Sequence, residues 1–319
     1  MTYGLATINL EGEPHAALVR EGKFRPLGHW GEHRSVLELL GEWAAVVGRM
    51  AEWAADDEAF AGAPAFDEAD VLAPYRPGQV YCTGANYKKH VVGLIMGDPS
   101  MRTAEHENVP PEELQKRVEA MMDQRAKALP FVFLKLPSCV VGPRDEVILP
   151  RNVEKPDWEL ELGVVIGKRA HHVSEADAMD YVAGFAVVND VTAREHIFRR
   201  DGSAIGADWL SGKCFPTFLP FGPMIVPRTQ VGDPYDLQLT LKVNGKTYQD
   251  ENTSDMMASI ERQIAYLSDR VVLEPGDLIC TGSPYGNGSA FGVFLKPGDE
   301  IEATIEGLGT QRNHCVAES

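Results

Sequence analysis

Residues 157–167 read Asp157-Trp158-Glu159-Leu160-Glu161-Leu162-Gly163-Val164-Val165-Ile166-Gly167. Polar and apolar residues alternate and then give way to an apolar run, which predicts a strand with one polar face at its start and burial on both faces at its end. Residues two apart in a strand share a face at about 6–7 Å spacing, so Asp157, Glu159 and Glu161 line one side while Trp158, Leu160 and Leu162 line the other. Three carboxylates so placed repel one another and resist burial unless a cation or basic groups neutralise them. Two readings satisfy the spacing. A solvated edge strand tolerates an alternating polar face. A hard divalent cation (magnesium, manganese or calcium rather than zinc) suits an oxygen-only ligand set. Asp190 ends the next apolar strand, Gly184-Phe185-Ala186-Val187-Val188-Asn189-Asp190. It lies 29 residues beyond Glu161 (190 − 161), room for a helix and a returning strand that brings Asp190 to Glu159 and Glu161.

The flanking sequence places this strand in an α+β, strand-rich chain. Further strands are expected at 79–83, 237–243 and 278–281, with a hairpin turn at Asn244-Gly245 and a late helix over 258–270. The Pro-Gly-Asp turns at 275–277 and 297–299 each precede a strand, so the C-terminal part is turn-linked β structure rather than alternating βαβ units. A dinucleotide-binding fold is disfavoured, because Gly286-x-Gly288 follows Pro284-Tyr285 instead of opening a helix. Upstream, strands over 2–10 and 15–20 and a helix over 35–55 make a small α+β unit, and Pro74, Pro77 and Gly78 put a boundary near residue 76. The chain is thus expected to hold a small domain over 1–76 and a large one over 77–319. Residues 97–130 leave this pattern: a proline-broken polar stretch leads into a charged helix over 112–127, read as a lid in preference to a dimer contact.

Composition limits the partners. The 319 residues carry 30 basic and 47 acidic side chains, net −17, without the clustered Lys and Arg that nucleic acid or an anionic membrane requires. With 44% hydrophobic and 24% charged residues the chain is neither disordered nor fibrous, and a small-molecule ligand is expected. The five cysteines are scattered, odd in number and lack a Cys-x-x-Cys pair, which argues for reduced thiols and against zinc or a disulfide framework. With no basic-then-apolar leader and no run of about 20 apolar residues, a cytoplasmic location is expected.

Five ordered elements carry the chemistry: Asn86-Tyr87-Lys88-Lys89-His90, Glu159-Leu160-Glu161, Asp190-Val191-Thr192-Ala193-Arg194, Trp209-Leu210-Ser211-Gly212-Lys213 and Thr281-Gly282-Ser283-Pro284. In this order they resemble the fumarylacetoacetate hydrolase family over about residues 78–316, including Phe131-Val132-Phe133-Leu134-Lys135. The resemblance implies a mixed β-roll catalytic domain, usually a homodimer, with Glu159, Glu161 and Asp190 as ligands to magnesium or manganese. It implies action on 2-oxo or 1,3-diketo acids.

For a 2,4-dioxo acid, cleavage of a carbon–carbon bond leaves an enolate whose charge a cation stabilises. Lys213 suits the substrate carboxylate or the oxyanion as a compact positive charge, and His90 is the natural general base for a water. Arg194 anchors a carboxylate or pairs with a neighbouring acid. Tyr87, Thr281 and Tyr285 are further substrate-binding candidates through the resemblance. Two departures stand out. Many relatives pair the histidine with a glutamate three residues later, where this chain has Gly93, and Glu105 or Glu107 on the lid are the candidate replacements. A glutamine expected three residues after Arg194 is absent, with His196 nearby. The expected activity is a metal-dependent hydrolase cleaving a small acylpyruvate-like 2,4-diketo acid in catabolism. The alternatives are an oxaloacetate-type decarboxylase, an isomerase or dehydratase, or a non-catalytic metal-binding relative.

Overall fold

The computed structural model describes residues 2–97, 106, 108–198 and 206–319. Its centre is a six-stranded sheet in the order Val226–Pro227, Val182–Asn189, Leu160–Ile166, Leu278–Cys280, Val80–Thr83, Val132–Lys135. All seven residues of Leu160–Ile166 are buried, and the strand sits inside the sheet between two antiparallel neighbours. The solvated-edge reading therefore fails. The apolar run is continuous because both faces are covered, as burial on two sides requires.

One face, bearing Leu160, Leu162 and Val164, packs against a second, five-stranded sheet whose Leu239, Leu241, Ile301 and Ala303 share the same core. The other face, bearing Val165, Ala186, Val188 and Leu278, meets the N-terminal helices through Leu39, Trp43, Val46 and Met50. The sequence up to residue 76 thus contributes one wall of the central core, and its own four-stranded sheet adds Leu5 and Leu18 to it.

Several expected elements divide. The helix over 35–55 is two, Val36–Leu40 and Trp43–Ala54, separated at Gly41-Glu42; Ser35 and Glu38 form a capping box at the start of the first. The strand expected from Asp157 is also two. Pro156–Asp157 pairs with Thr192–Ala193, and regular pairing resumes only at Leu160. Asp157 therefore does not share a row with Glu159 and Glu161. Its carboxylate instead accepts the backbone N–H groups of Gly288 (2.6 Å) and Ser289 (3.0 Å). The Gly286-x-Gly288 pair has a packing reason. A Cβ on Gly286 would lie 2.2 Å from the Tyr248 carbonyl oxygen, and one on Gly288 would lie 2.0 Å from that of Val293.

The described part of the excursion is the helix Pro111–Arg125, which lays Leu114, Val118 and Met122 against Val91 and Ile95 of the helix Lys88–Gly97. Glu105 and Glu107 lie outside the described residues. Among the described residues no helix is long and apolar enough to cross a membrane.

Candidate active site

Glu161 sits in the first turn of pleat of Leu160–Ile166, and Asp190 directly follows the antiparallel strand Val182–Asn189. Register sets Leu160 opposite Asn189, and two bonds lock the corner: the Asp190 N–H donates to the Glu159 carbonyl (2.9 Å) and the Glu159 N–H donates to the Asn189 side-chain oxygen (2.9 Å). One carboxylate oxygen from each of Glu159, Glu161 and Asp190 then lies within 4.8 Å of the other two, all three residues being buried. This is the cluster expected from the sequence.

Two buried lysines and a partly buried arginine answer part of its charge. Lys213 Nζ bridges Glu159 Oε2 (2.7 Å) and Asp190 Oδ2 (2.5 Å). Lys135 Nζ meets Asp190 Oδ1 at 2.5 Å and donates to the Val191 carbonyl at 2.9 Å. Arg194 spans Asp157 Oδ2 (2.8 Å) and Glu159 Oε1 (2.5 Å). Burial alone would raise Glu159, but Arg194, Lys213 and His90 outweigh it and hold its carboxyl down at about 2. Glu161 goes the other way. Its carboxylate accepts the Gly282 N–H (2.7 Å), and burial, then the charges of Asp190, Cys280 and Glu159, push it well above the carboxylate range.

The fit to a divalent cation rests on that imbalance. Among the described residues Glu161 makes no ion pair of its own, Lys213 opposing its upward shift only as the smallest cause, and the donor set is all oxygen, as magnesium and manganese prefer. Glu159, Glu161 and Asp190 are the residues that would hold such an ion.

His90 projects from the helix Lys88–Gly97 into a cavity of about 580 Å³, where Glu159, Arg194, Lys213, Phe133 and Trp209 also line the wall. Burial lowers its imidazole to about 4, Glu159 working against the shift and Arg194 and Lys213 with it. The ring is therefore neutral near pH 7, an available base. Beside it stands the Asn287 side chain. Its Nδ2 donates to the Trp158 carbonyl (2.7 Å) and to Ser283 Oγ (3.2 Å), and its buried Oδ1 has no fixed donor within hydrogen-bond geometry. That leaves an acceptor facing the histidine.

Other candidates sit elsewhere. Tyr87 is fully buried off the cavity wall, with its backbone bridged to Met256. The Thr281 hydroxyl donates to the Leu162 carbonyl (2.9 Å). Tyr285 packs its ring against Gly93, and His196 meets the Asn152 carbonyl at 3.1 Å on an exposed surface. The sequence marks Lys135 only as the end of the Phe131–Lys135 element, without a role, and does not single out Asn287. A lysine ending the apolar strand Val132–Lys135 was the available signal for the first; for Asn287 there was none.

Comparison with known proteins agrees with this geometry. A human mitochondrial oxaloacetate tautomerase, FAHD2A, is 41% identical over 253 residues, covering 78% of this chain and 70% of its own length. A fumarylacetoacetate hydrolase from psychrophilic Exiguobacterium antarcticum superposes with a TM-score of 0.76 at 26% identity, covering 99% of this chain and 100% of that one. A 2-hydroxyhepta-2,4-diene-1,7-dioate isomerase from Mycobacterium marinum covers 100% of both chains at 27% identity and a TM-score of 0.65. Residues 79–316 match the family model described as fumarylacetoacetate (FAA) hydrolase, C-terminal, a stretch that contains His90, the acid cluster and both of its lysines. The chain is a member of the fumarylacetoacetate hydrolase family, and its buried Glu159, Glu161 and Asp190 form the acidic cluster typical of that family's divalent-metal site.

Proposed function

We propose that this enzyme interconverts the keto and enol forms of a small dicarboxylic 2-oxo acid of the oxaloacetate type. The observation that carries the reading is the surroundings of His90. Position 93 has no room for an acid, since a Cβ there would lie 2.3 Å from Tyr285 Cε2, so the histidine–glutamate pair that activates water in many relatives is missing. Tautomerisation needs no activated water. It needs one base to move a proton between C3 and the C2 oxygen, and a neutral His90 with an amide oxygen beside it suits that task. The 41% identity to an oxaloacetate tautomerase supports the same substrate class.

Glu159, Glu161 and Asp190 would hold a magnesium or manganese ion, which when bound would supply Lewis-acid polarisation of the 2-oxo acid. The chain does the rest. His90 accepts the C3 proton and returns it. Lys213, kept cationic by Asp190 and Glu159 against the pull of burial, faces the same region as a fixed positive charge. Trp209 stacks on Phe133 at 4.6 Å and gives the cavity an apolar side that limits water. The helix Pro111–Arg125 acts as the lid, with Arg125 among the residues lining the cavity. A homodimer is the proposed assembly, by likeness to the family.

The carbon–carbon hydrolase expected from sequence is the second reading. A cavity of about 580 Å³ favours it, being far larger than a four-carbon diacid. The test offers oxaloacetate and an acylpyruvate in parallel to the magnesium-loaded protein, with a Glu159→Ala, Glu161→Ala control. Accelerated enol-to-ketone decay without carbon dioxide or pyruvate, lost in the control, supports the tautomerase; pyruvate and a free acid from the acylpyruvate support the hydrolase; carbon dioxide from oxaloacetate moves the assignment to a decarboxylase.

A further inference from the structure

Cys139 and Cys214 lie outside the cavity lining, on the two segments that carry the lysines of the acid cluster. Lys135 ends the strand Val132–Lys135, and the short turn Pro137–Cys139 follows at once; Cys214 directly follows Lys213 at the end of the helix Trp209–Lys213. The two thiols are neighbours. Each sulfur also reaches the opposite segment's backbone: Cys139 Sγ is 4.0 Å from the Lys213 carbonyl oxygen, and Cys214 Sγ is 3.9 Å from that of Leu134. Both segments converge on one carboxylate. Lys135 holds Asp190 Oδ1 and Lys213 holds Asp190 Oδ2, each at 2.5 Å.

We propose that Cys139 and Cys214 form a reversible disulfide site, oxidised by a small peroxide, and that closing it displaces Lys213 and lowers turnover. Joining the sulfurs must draw the two segments together, and Lys213 is the residue next to one end of the bond. A displacement of about 1 Å in a positioned catalytic group costs on the order of a hundredfold in rate.

The order of attack follows from the surroundings. Cys139 is fully buried, and its thiol is pushed up by the neighbouring Cys214 and by burial. Cys214 is half-buried, and the neighbouring Cys139 lowers it to about 7, so part of it is thiolate at neutral pH. The Cys214 thiolate attacks one oxygen of hydrogen peroxide, breaking the O–O bond to give a sulfenic acid and hydroxide. The Cys139 sulfur then attacks the Cys214 sulfur, losing its proton as the hydroxyl leaves as water. Two electrons pass from the sulfurs to the peroxide, and once the hydroxide is protonated two waters result. A dithiol reverses the bond by exchange. Cys82 and Cys280 form an internal control: they face each other on parallel strands but are at most 1% exposed, so peroxide does not reach them.

The test treats the full-length, magnesium-loaded protein with hydrogen peroxide, alkylates the remaining thiols and maps the peptides by mass, with oxaloacetate turnover measured in parallel. The expected result is a cross-linked peptide pair containing Cys139 and Cys214, with Cys82 and Cys280 alkylated. Turnover should fall at least tenfold and recover with dithiothreitol. Cys139→Ser should keep basal turnover and yield no cross-link. Alkylated Cys139 and Cys214 after treatment, or a cross-link that leaves turnover unchanged, overturns the proposal. The mapping reads the bond even if the reaction assigned above proves to be another.

Discussion

The ring of Tyr285 fills the space where a side chain at Gly93 would begin: a Cβ on Gly93 would fall 2.3 Å from Cε2 and 2.4 Å from Cδ2. The two positions are thus one choice. Gly93→Ala should destabilise the fold by about 1–3 kcal/mol, the usual range for overpacking a filled interior. Adding Tyr285→Ala should recover most of it. Thermal denaturation of the two variants checks this, and equal melting temperatures for wild type and Gly93→Ala would show that the ring moves aside freely. Gly93→Glu with Tyr285→Ala should also restore an acid beside His90 and raise acylpyruvate hydrolysis relative to the parent.

Asn287 offers His90 an amide oxygen in place of that acid. Asn287→Ala should lower kcat by about 10–100-fold with KM little changed, because orientation of a general base is lost while the acid cluster stays intact. Asn287→Asp keeps an acceptor and should retain most of the rate. Stopped-flow decay of the oxaloacetate enol measures both, and a parallel loss in the two variants would mean a structural role instead.

Lys135 is fully buried against Asp190. Lys135→Met removes one partner of a buried ion pair and should cost about 3–5 kcal/mol in the metal-free protein, since the carboxylate stays behind. Urea titration with and without magnesium separates the two states. The loss should be smaller when the ion is present.

Glu161 is the least compensated acid of the cluster, so a divalent cation should stabilise the fold through it. Magnesium or manganese at about a hundred times Kd should add about 2.7 kcal/mol to the unfolding free energy. Glu161→Gln should abolish that gain, and calorimetric scans with chelator and with metal test it.

Glu32 gives the fold an acid-side dependence far from the active site. Hydrogen bonds from Arg34 and the charge of Arg49, which outweigh burial, hold its carboxyl down at about 2. A carboxyl lower in the folded state than the ordinary value of about 4.3 stabilises fully above that value and loses the contribution as pH falls towards 2. Wild type should therefore exceed Glu32→Gln in urea midpoint at pH 6, with the gap narrowing as the pH falls below about 4. A constant gap would show that the pair contributes nothing electrostatic.

The cluster of Glu159, Glu161 and Asp190 came with the family resemblance; the strand bearing Glu161, the second strand ending beside Asp190 and the turn-linked β character of the C-terminal part were legible in the residues themselves. These were readable because strand periodicity and apolar runs are local properties of the chain. The extent of the strand at 157–166 was not, since Asp157 leaves the row only when Pro156–Asp157 pairs with Thr192–Ala193 and the Gly288 and Ser289 N–H groups claim its carboxylate. Tertiary structure alone decided the neighbours of His90. Asn287 is 197 positions from it (287 − 90) and Tyr285 is 192 from Gly93 (285 − 93), distances at which no spacing rule operates. The same holds for Lys135 and Lys213, whose common partner Asp190 is set by how the strand Val132–Lys135 and the helix Trp209–Lys213 pack together. Ligand types are written in the chain; which charges compensate them is a consequence of long-range packing in a medium where an unpaired ion is costly.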